Sequence, residues 1–363
     1  MSRPVMIMAG GTGGHIFPAL AVARALDAEG VPVVWLGSRG GMETRIVPEQ
    51  GIPAEWISIR GLRGKGLRGW IVAPWRILYA VSQALGALRR HQPRAVLGMG
   101  GFAAGPGGVA AWLRRTPLII HEQNSVAGLT NRLLARLARC VLTGFPGVLP
   151  GAHVVGNPVR DEILQLPAPA ERWAGREGPL RLLVVGGSLG ARVFNETLPE
   201  ALARLPREDR PEVCHQAGER GLQEAVDAYR RAGVEAEVRA FIGDMAAAYA
   251  WADLVICRAG ALTVAELAAA GLPAILVPYP HAVDDHQTGN ARYLAEGGAG
   301  WLLPQTEFVP ERLADLLAGM ERAELLQRAE RARALAQPQA TTEVARACLD
   351  AAEGRDCLKE VRS

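Results

Sequence analysis

Acidic residues are scarce in the first part of this 363-residue chain. Residues 1 to 160 hold 18 lysines and arginines against six acids, a local charge of +12, while the remainder carries −9, so the formal net charge of +3 hides a strong separation. Between Ala54 and Arg160 the only acids are Glu55 and Glu122. A basic half of this kind suits an anionic partner, either nucleic acid or acidic lipid. Aromatic residues make up only 5% of the chain, which leaves little of the interleaved basic and aromatic surface of an RNA-binding module. Lipid is therefore the expected partner, and nucleic acid is not. The five cysteines are scattered and form no Cys-x-x-Cys pair, which argues against a disulfide framework or a zinc site and suits a reducing cytosol. Ala95 to Leu113 is 19 residues without charge, but six glycines and Pro106 interrupt it. It reads as strand, loop and helix rather than as a bilayer span. The short apolar start leads directly into glycines and lacks a signal-peptide pattern, so export is not expected.

Several motifs are absent as well. Without Gly-Lys-Ser or Gly-Lys-Thr the chain is no P-loop nucleotidase, and the third glycine of a dinucleotide fingerprint would fall at Ile16. No acid follows the strand that ends in Trp35-Leu36-Gly37-Ser38 to hold a ribose, so a nicotinamide cofactor is not expected. Asp-x-Asp is missing, and neither a metal nor any other cofactor is called for.

What is present is a globular composition, 49% hydrophobic and 21% charged, with 42 glycines and 24 prolines. The length exceeds what one core usually organises, so two domains are expected. One plan occurs twice. Val5 to Ala9 runs into Gly10-Gly11-Thr12-Gly13-Gly14 and a helical pattern from His15 to Ala28; Leu182 to Val185 runs into Gly186-Gly187-Ser188-Leu189-Gly190 and a helical pattern from Ala191 to Leu205. Further apolar strands at Val33 to Leu36, Ala95 to Leu97, Leu118 to Ile120, Leu254 to Cys257 and Ala274 to Val277 alternate with helical segments. The fold class is α/β, two Rossmann-like domains with parallel sheets. A glycine loop before a helix N-terminus either makes a tight turn or brings backbone amides to an anion; its duplication favours the second role.

Six further segments occur in a fixed order: Gly61-Leu62-Arg63-Gly64-Lys65-Gly66, Gly98-Met99-Gly100-Gly101-Phe102, His121-Glu122-Gln123-Asn124, Gly156-Asn157-Pro158-Val159-Arg160, Arg258 to Glu266 and Asp285-His286-Gln287. Together with the two loops they resemble the MurG family, N-acetylglucosaminyltransferases of bacterial peptidoglycan precursor synthesis, nearly end to end, up to about Glu353. The resemblance implies the GT-B glycosyltransferase fold with an interdomain cleft. It implies inverting transfer of N-acetylglucosamine from UDP-GlcNAc to the MurNAc 4-hydroxyl of lipid I, giving lipid II. Residues 1 to 157, with a helix at about 338 to 354 packing back, would form the acceptor and membrane-facing domain, and residues 158 to 337 the donor domain. A UDP-GlcNAc 2-epimerase and a non-catalytic sugar-nucleotide-binding protein are the rival readings.

For the donor, the resemblance points to Ser188 at the diphosphate, with Arg160 near it, and to the backbone of Ile242 at uracil. The helix start Ala261, Leu262, Thr263, Val264 and Ala265 would face the phosphates, Glu266 the ribose hydroxyls and Gln287 the sugar, while Thr12, Gly13, Gly14 and Asn124 would lie in the cleft. With no metal, fixed dipoles must neutralise the departing diphosphate. The base is His15, at a helix start whose dipole favours the neutral imidazole, or Glu122, the lone acid at a strand end. Trp70 to Arg90 reads as a helix with Pro74 in its first turn. Its Ile71, Trp75 and Leu78, beside Arg68 and Arg76, form the candidate patch for peripheral attachment to the anionic inner leaflet at the cytoplasmic face of the membrane. Cell-wall synthesis or division proteins are possible partners. Val155 to about Leu180, rich in proline, reads as an interdomain linker.

Overall fold

The structure, a computed structural model, describes residues 3–59, 66–187 and 189–357. Contacts divide the chain into two units, Met1–Val159 with Gln337–Ser363, and Arg160–Ala336. Unit 1 holds strands β1 (Val5–Met8), β2 (Val33–Ser38), β3 (Ala54–Ile57), β4 (Ala95–Gly98), β5 (Leu118–Glu122), β6 (Cys140–Thr143) and β7 (His153–Val154). They form one sheet in the order β3-β2-β1-β4-β5-β6-β7, and every pairing is parallel.

Its central strands are apolar on both faces because both faces are covered. Val5 and Ile7 of β1 and Ala95 and Leu97 of β4 pack with Ile16, Leu20 and Ala23 of helix Gly13–Ala28 and with Val344, Ala347 and Ala351 of helix Ala340–Ala352. Met6, Met8 and Val96 point the other way, toward Ala80, Ala84 and Leu88 of helix Gly66–His91 and Ala104, Ala110 and Ala111 of helix Ala104–Leu113. The glycine content of that last helix has a packing reason: a Cβ on Gly107 would overlap the Met8 sulfur, and one on Gly108 would stand 2.7 Å from a Leu134 methyl.

Unit 2 repeats the arrangement with β8 (Arg181–Val185), β9 (Glu212–Gln216), β10 (Glu237–Arg239), β11 (Leu254–Cys257), β12 (Ala274–Leu276) and β13 (Gly300–Leu302). The order is β10-β9-β8-β11-β12-β13, again all parallel. In each sheet the strand order reverses beside the strand that precedes the glycine loop, β1 or β8. Both loops thus open at a topological switch point, where ligands of such sheets bind.

Two local expectations change. Pro74 lies well inside helix Gly66–His91 rather than in its first turn, because the helix starts earlier, at Gly66. The stretch from Val155 to Leu180 is not a free linker. It carries helices Asp161–Leu164 and Pro169–Arg172, buries Ile163 and Trp173, and is pinned to unit 2 where Arg172 donates to the Ala270 and Gly271 carbonyls at 2.8 and 3.1 Å. Apolar anchors outweigh the proline content there. All five cysteines are free and buried.

Candidate active site

The first glycine loop is closed from behind by a carboxylate. Glu43, at the start of helix Glu43–Glu49, is fully buried. It accepts hydrogen bonds from the Gly11 amide at 3.0 Å, the Ser38 amide at 3.1 Å and the Ser38 hydroxyl at 2.6 Å. A Cβ on Gly10 or Gly41 would overlap that carboxylate, so these glycines make room for an acid as much as for a turn. Nothing in the local sequence marks Glu43, since the loop amide it holds, that of Gly11, is 32 residues away. The loop then delivers Thr12 as N-cap of helix Gly13–Ala28 and His15 in its first turn.

His15 is partly exposed, and its Nδ1 lies 3.0 Å from Oε1 of Gln123. Gln123 is buried just after β5, with its amide nitrogen 3.0 Å from the Met99 carbonyl and 3.2 Å from Nδ1 of His121. Gly100, in the glycine run before Phe102, lies against the same ring: it has φ +94°, and a Cβ there would stand 2.7 Å from His15 Nδ1. Glu122 is differently placed. Its carboxylate, 3% exposed, accepts from the Asn124 amide and side chain at 3.0 and 3.3 Å, the Gly128 amide at 3.1 Å and Asn131 at 2.8 Å. A buried carboxylate with four donors organises its loop and is poorly placed to take a proton from a substrate. Asn124 is thereby fixed beside it.

In unit 2, Gly187 (φ +90°) and Gly190 (φ +74°) turn the second loop, and a Cβ on Gly190 would overlap the Ala217 carbonyl. Gln216, at the end of β9, ties this loop to the next segment. Its amide nitrogen donates to the Gly187 carbonyl at 2.9 Å and its oxygen accepts from the Ile242 amide at 2.8 Å. The backbone donor expected to read uracil is thus already engaged by Gln216. Helix Ala261–Ala270 starts at the N-cap Gly260. The first intrahelical bond runs from the Val264 amide to the Gly260 carbonyl, so the amides of Ala261, Leu262 and Thr263 are the orphan donors of a helix N-terminus, with its partial positive charge.

One and a half turns on, Glu266 pairs with Arg160 at 2.9 Å and accepts from Tyr249 at 3.1 Å. Burial pushes the Glu266 carboxyl up, against the opposing pull of Arg160, and Tyr249 is pushed far up by burial and by Glu266. Arg258 joins three segments. Its guanidinium lies over the rings of Phe194 and Tyr279 at 4.9 and 5.4 Å and donates to the Val277 and Pro278 carbonyls. The Tyr279 amide donates in turn to Gln287 at 2.9 Å. Gln287 opens helix His286–Glu296, which is entered through Asp284 and Asp285, both in left-handed backbone (φ +54° and +49°).

The structure therefore gathers Arg160, Ala261 to Glu266 and the segment bearing Gln287 within unit 2, with Ile242 linked to the second loop. Thr12 to His15, Glu122 and Asn124 belong to unit 1. Ser188 lies outside the described residues, as do the segment 60–65 and the side chains of Arg68 and Ile71. Trp75 is 73% and Leu78 59% exposed, with Val72, Ile77 and Tyr79 also outward and Arg76 among them. No group of three or more metal-ligating side chains occurs among the described residues.

Two parallel sheets, each with a glycine loop at its switch point, one of them associated with a helix start with orphan amides and a buried carboxylate, define a two-domain sugar-nucleotide glycosyltransferase of the GT-B class. The chain belongs to glycosyltransferase family 28: residues 5–143 match the family's N-terminal domain and residues 181–346 its C-terminal domain. It is 65% identical over 358 residues to the UDP-N-acetylglucosamine–N-acetylmuramyl-(pentapeptide) pyrophosphoryl-undecaprenol N-acetylglucosamine transferase of Alkalilimnicola ehrlichii, covering 97% of this chain and 100% of that one. It is 60% identical to the enzyme of the same name from Azoarcus sp., covering 97% and 99%. The crystal structure of Acinetobacter baumannii MurG superposes with a TM-score of 0.86 at 44% identity, covering 96% of this chain and 100% of that chain.

Proposed function

We propose that this protein transfers N-acetylglucosamine from UDP-GlcNAc to the MurNAc 4-hydroxyl of lipid I, with inversion, to give lipid II. The observation that carries the reading is a division of chemistry within one family 28 chain. Unit 2 offers an acid-free loop and the N-terminus of helix Ala261–Ala270 to a diphosphate, and unit 1 offers an imidazole with one nitrogen engaged by Gln123. In this reading Nε2 of His15 takes the proton of the 4-hydroxyl as its oxygen bonds to the anomeric carbon and the bond from that carbon to the diphosphate breaks. UDP leaves with the electron pair, and its charge is met by the orphan amides and Arg160, with no metal required. Each Glu266 oxygen keeps a second lone pair beside its bond to Arg160 or Tyr249, which suits two ribose hydroxyls. A 2-epimerase needs neither an acceptor nor a lipid-facing surface. The test is UDP release from UDP-GlcNAc with and without a lipid I analogue: acceptor-dependent release supports transfer, and release or isomerised donor without acceptor overturns it.

The acceptor's lipid tail accounts for the outward face of unit 1. Trp75, Leu78 and Tyr79 are joined by Trp112 and Leu113 on the neighbouring helix and by Leu129 and Leu133 on the next, all exposed, with Arg76, Arg114, Arg115 and Arg132 exposed among them. Apolar side chains ringed by cations fit peripheral attachment to an anionic leaflet, each cation contributing about 1 kcal/mol. No helix among the described residues is long and apolar enough to cross a membrane. Co-sedimentation with anionic liposomes should fall at least about tenfold in a Trp75→Ser, Leu78→Ser double variant. Equal binding to neutral vesicles would remove the electrostatic part of the proposal. Division or cell-wall proteins remain candidate partners of this unit.

A further inference from the structure

The hydrogen bonds behind His15 run in one direction only. The Gly156 carbonyl accepts at 2.8 Å from Nε2 of His121, and a carbonyl only accepts, so that nitrogen carries the proton. Burial depresses the His121 imidazole to about 4, so the ring is neutral and its Nδ1 offers a lone pair. At 3.2 Å from that lone pair lies the amide nitrogen of Gln123, which also donates to the Met99 carbonyl at 3.0 Å. Three acceptors on one side, the His121 carbonyl at 3.3 Å being the third, fix the orientation of the Gln123 amide without ambiguity, and its Oε1 is therefore the atom 3.0 Å from Nδ1 of His15. An amide oxygen accepts, so His15 must donate.

We infer that Gln123, backed by His121, is a positioning residue that holds His15 as the Nδ1–H tautomer and so leaves the Nε2 lone pair open toward the acceptor hydroxyl. A neutral imidazole free in water favours the opposite tautomer, with its proton on Nε2, in which the outward nitrogen would be a donor and could not act as base. The selection comes from a buried, uncharged amide rather than the carboxylate that orients the base in a Ser-His-Asp triad. It therefore sets the tautomer without adding a negative charge behind the ring. Gly100 completes the seat, since a Cβ there would push against the same Nδ1. The sequence carries both residues in His121-Glu122-Gln123-Asn124, where His121 and Gln123, rather than the acid between them, do the positioning.

The inference rests on His15 as the base, and the experiment separates the two. The full chain labelled with 15N-histidine is examined at neutral pH, the His15 signal being identified by its loss in His15→Ala. The expected spectrum shows a protonated Nδ1 and an unprotonated Nε2 at His15. A proton on Nε2 overturns the inference outright, and this measurement requires no Gln123 variant to fold. In Gln123→Met, checked for folding by its melting curve, the His15 proton should move to Nε2. Its kcat should fall about 10- to 100-fold while KM for UDP-GlcNAc stays within about twofold. A folded Gln123→Met that keeps the Nδ1–H tautomer also overturns the inference. Near-normal turnover of His15→Ala alongside the Nδ1–H spectrum would reject the base while the tautomer assignment stands.

Discussion

The two glycine loops share a plan and differ in the group standing behind them. In unit 1 the Gly11 amide donates into the buried carboxylate of Glu43. In unit 2 the corresponding support is the amide of Gln216, which donates to the Gly187 carbonyl, and no carboxylate bonds to that loop among the described residues. The Gly11 amide of the first loop is already taken by the Glu43 carboxylate, and a substrate phosphate placed there would face that acid. Among the described residues, the amides of the second loop and of the nearby helix start have no anionic partner. In the proposed reading a repeated backbone plan does not carry a repeated ligand: the residue behind the loop sets the sign of what it accepts, and in unit 1 the plan serves instead to place His15.

The sharpest way to break this division is His15→Ala. Turnover should fall about 10²- to 10⁴-fold with KM for UDP-GlcNAc nearly unchanged, whereas a comparable rise in KM would place His15 on the donor. Next in size is Gly190→Ala, where left-handed backbone and overlap with the Ala217 carbonyl combine. A loss of about 2 to 5 kcal/mol in stability and a large rise in donor KM are expected; Gly100→Ala should instead lower kcat. Unchanged donor binding in Gly190→Ala would show that the second loop is not the diphosphate site.

Acid should weaken both units by the same mechanism. Each holds one buried neutral histidine, His121 and His215, depressed to about 4 by burial. Folded values below the unfolded value of about 6.5 mean that the unfolded chain binds more protons between those limits. The stability each residue contributes is then complete above about pH 6.5 and lost as pH falls toward 4, on the order of 3 kcal/mol per residue. Urea unfolding at pH 7 and pH 4.5 measures this, and His215→Gln should flatten the slope, though not abolish it. The smallest effect expected is that of exchanging the supports. Glu43→Gln leaves a donor facing either the Gly11 or the Ser38 amide, which bond different oxygens of Glu43, and should cost about 1 to 3 kcal/mol. Gln216→Glu puts a carboxylate behind the second loop and should weaken UDP binding roughly tenfold. Tighter UDP binding in Gln216→Glu would contradict the charge rule.

Much of this was legible in the sequence because it depends on local pattern. The central strands β1, β4, β8 and β11 are continuous apolar runs, and both loops and the Gly260 helix start follow from glycine before an apolar helix. The edge strands were less visible. β10 (Glu237-Val238-Arg239) and β7 (His153-Val154) are short and polar, and only pairing to a neighbour makes them strands. At the site, His15 and Glu122 were both in view as bases, yet their difference lies in partners that sequence spacing does not reveal, four donors on one and a single amide oxygen on the other.

By itself the sequence determined two parallel-sheet halves, two glycine turns, a basic first half and a motif order that places the chain among sugar-nucleotide transferases, since backbone conformation and hydrophobic periodicity are written in nearest neighbours. Tertiary structure alone decided that Glu43 closes the first loop, that Gln216 joins the second to Ile242, and that Gln123 reaches His15 from 108 residues away. Each is a hydrogen bond from a buried side chain, Glu43, Gln216 or Gln123, to a group far from it in the chain. Their partners are chosen by which strand ends the fold brings together, and burial makes each pairing obligatory.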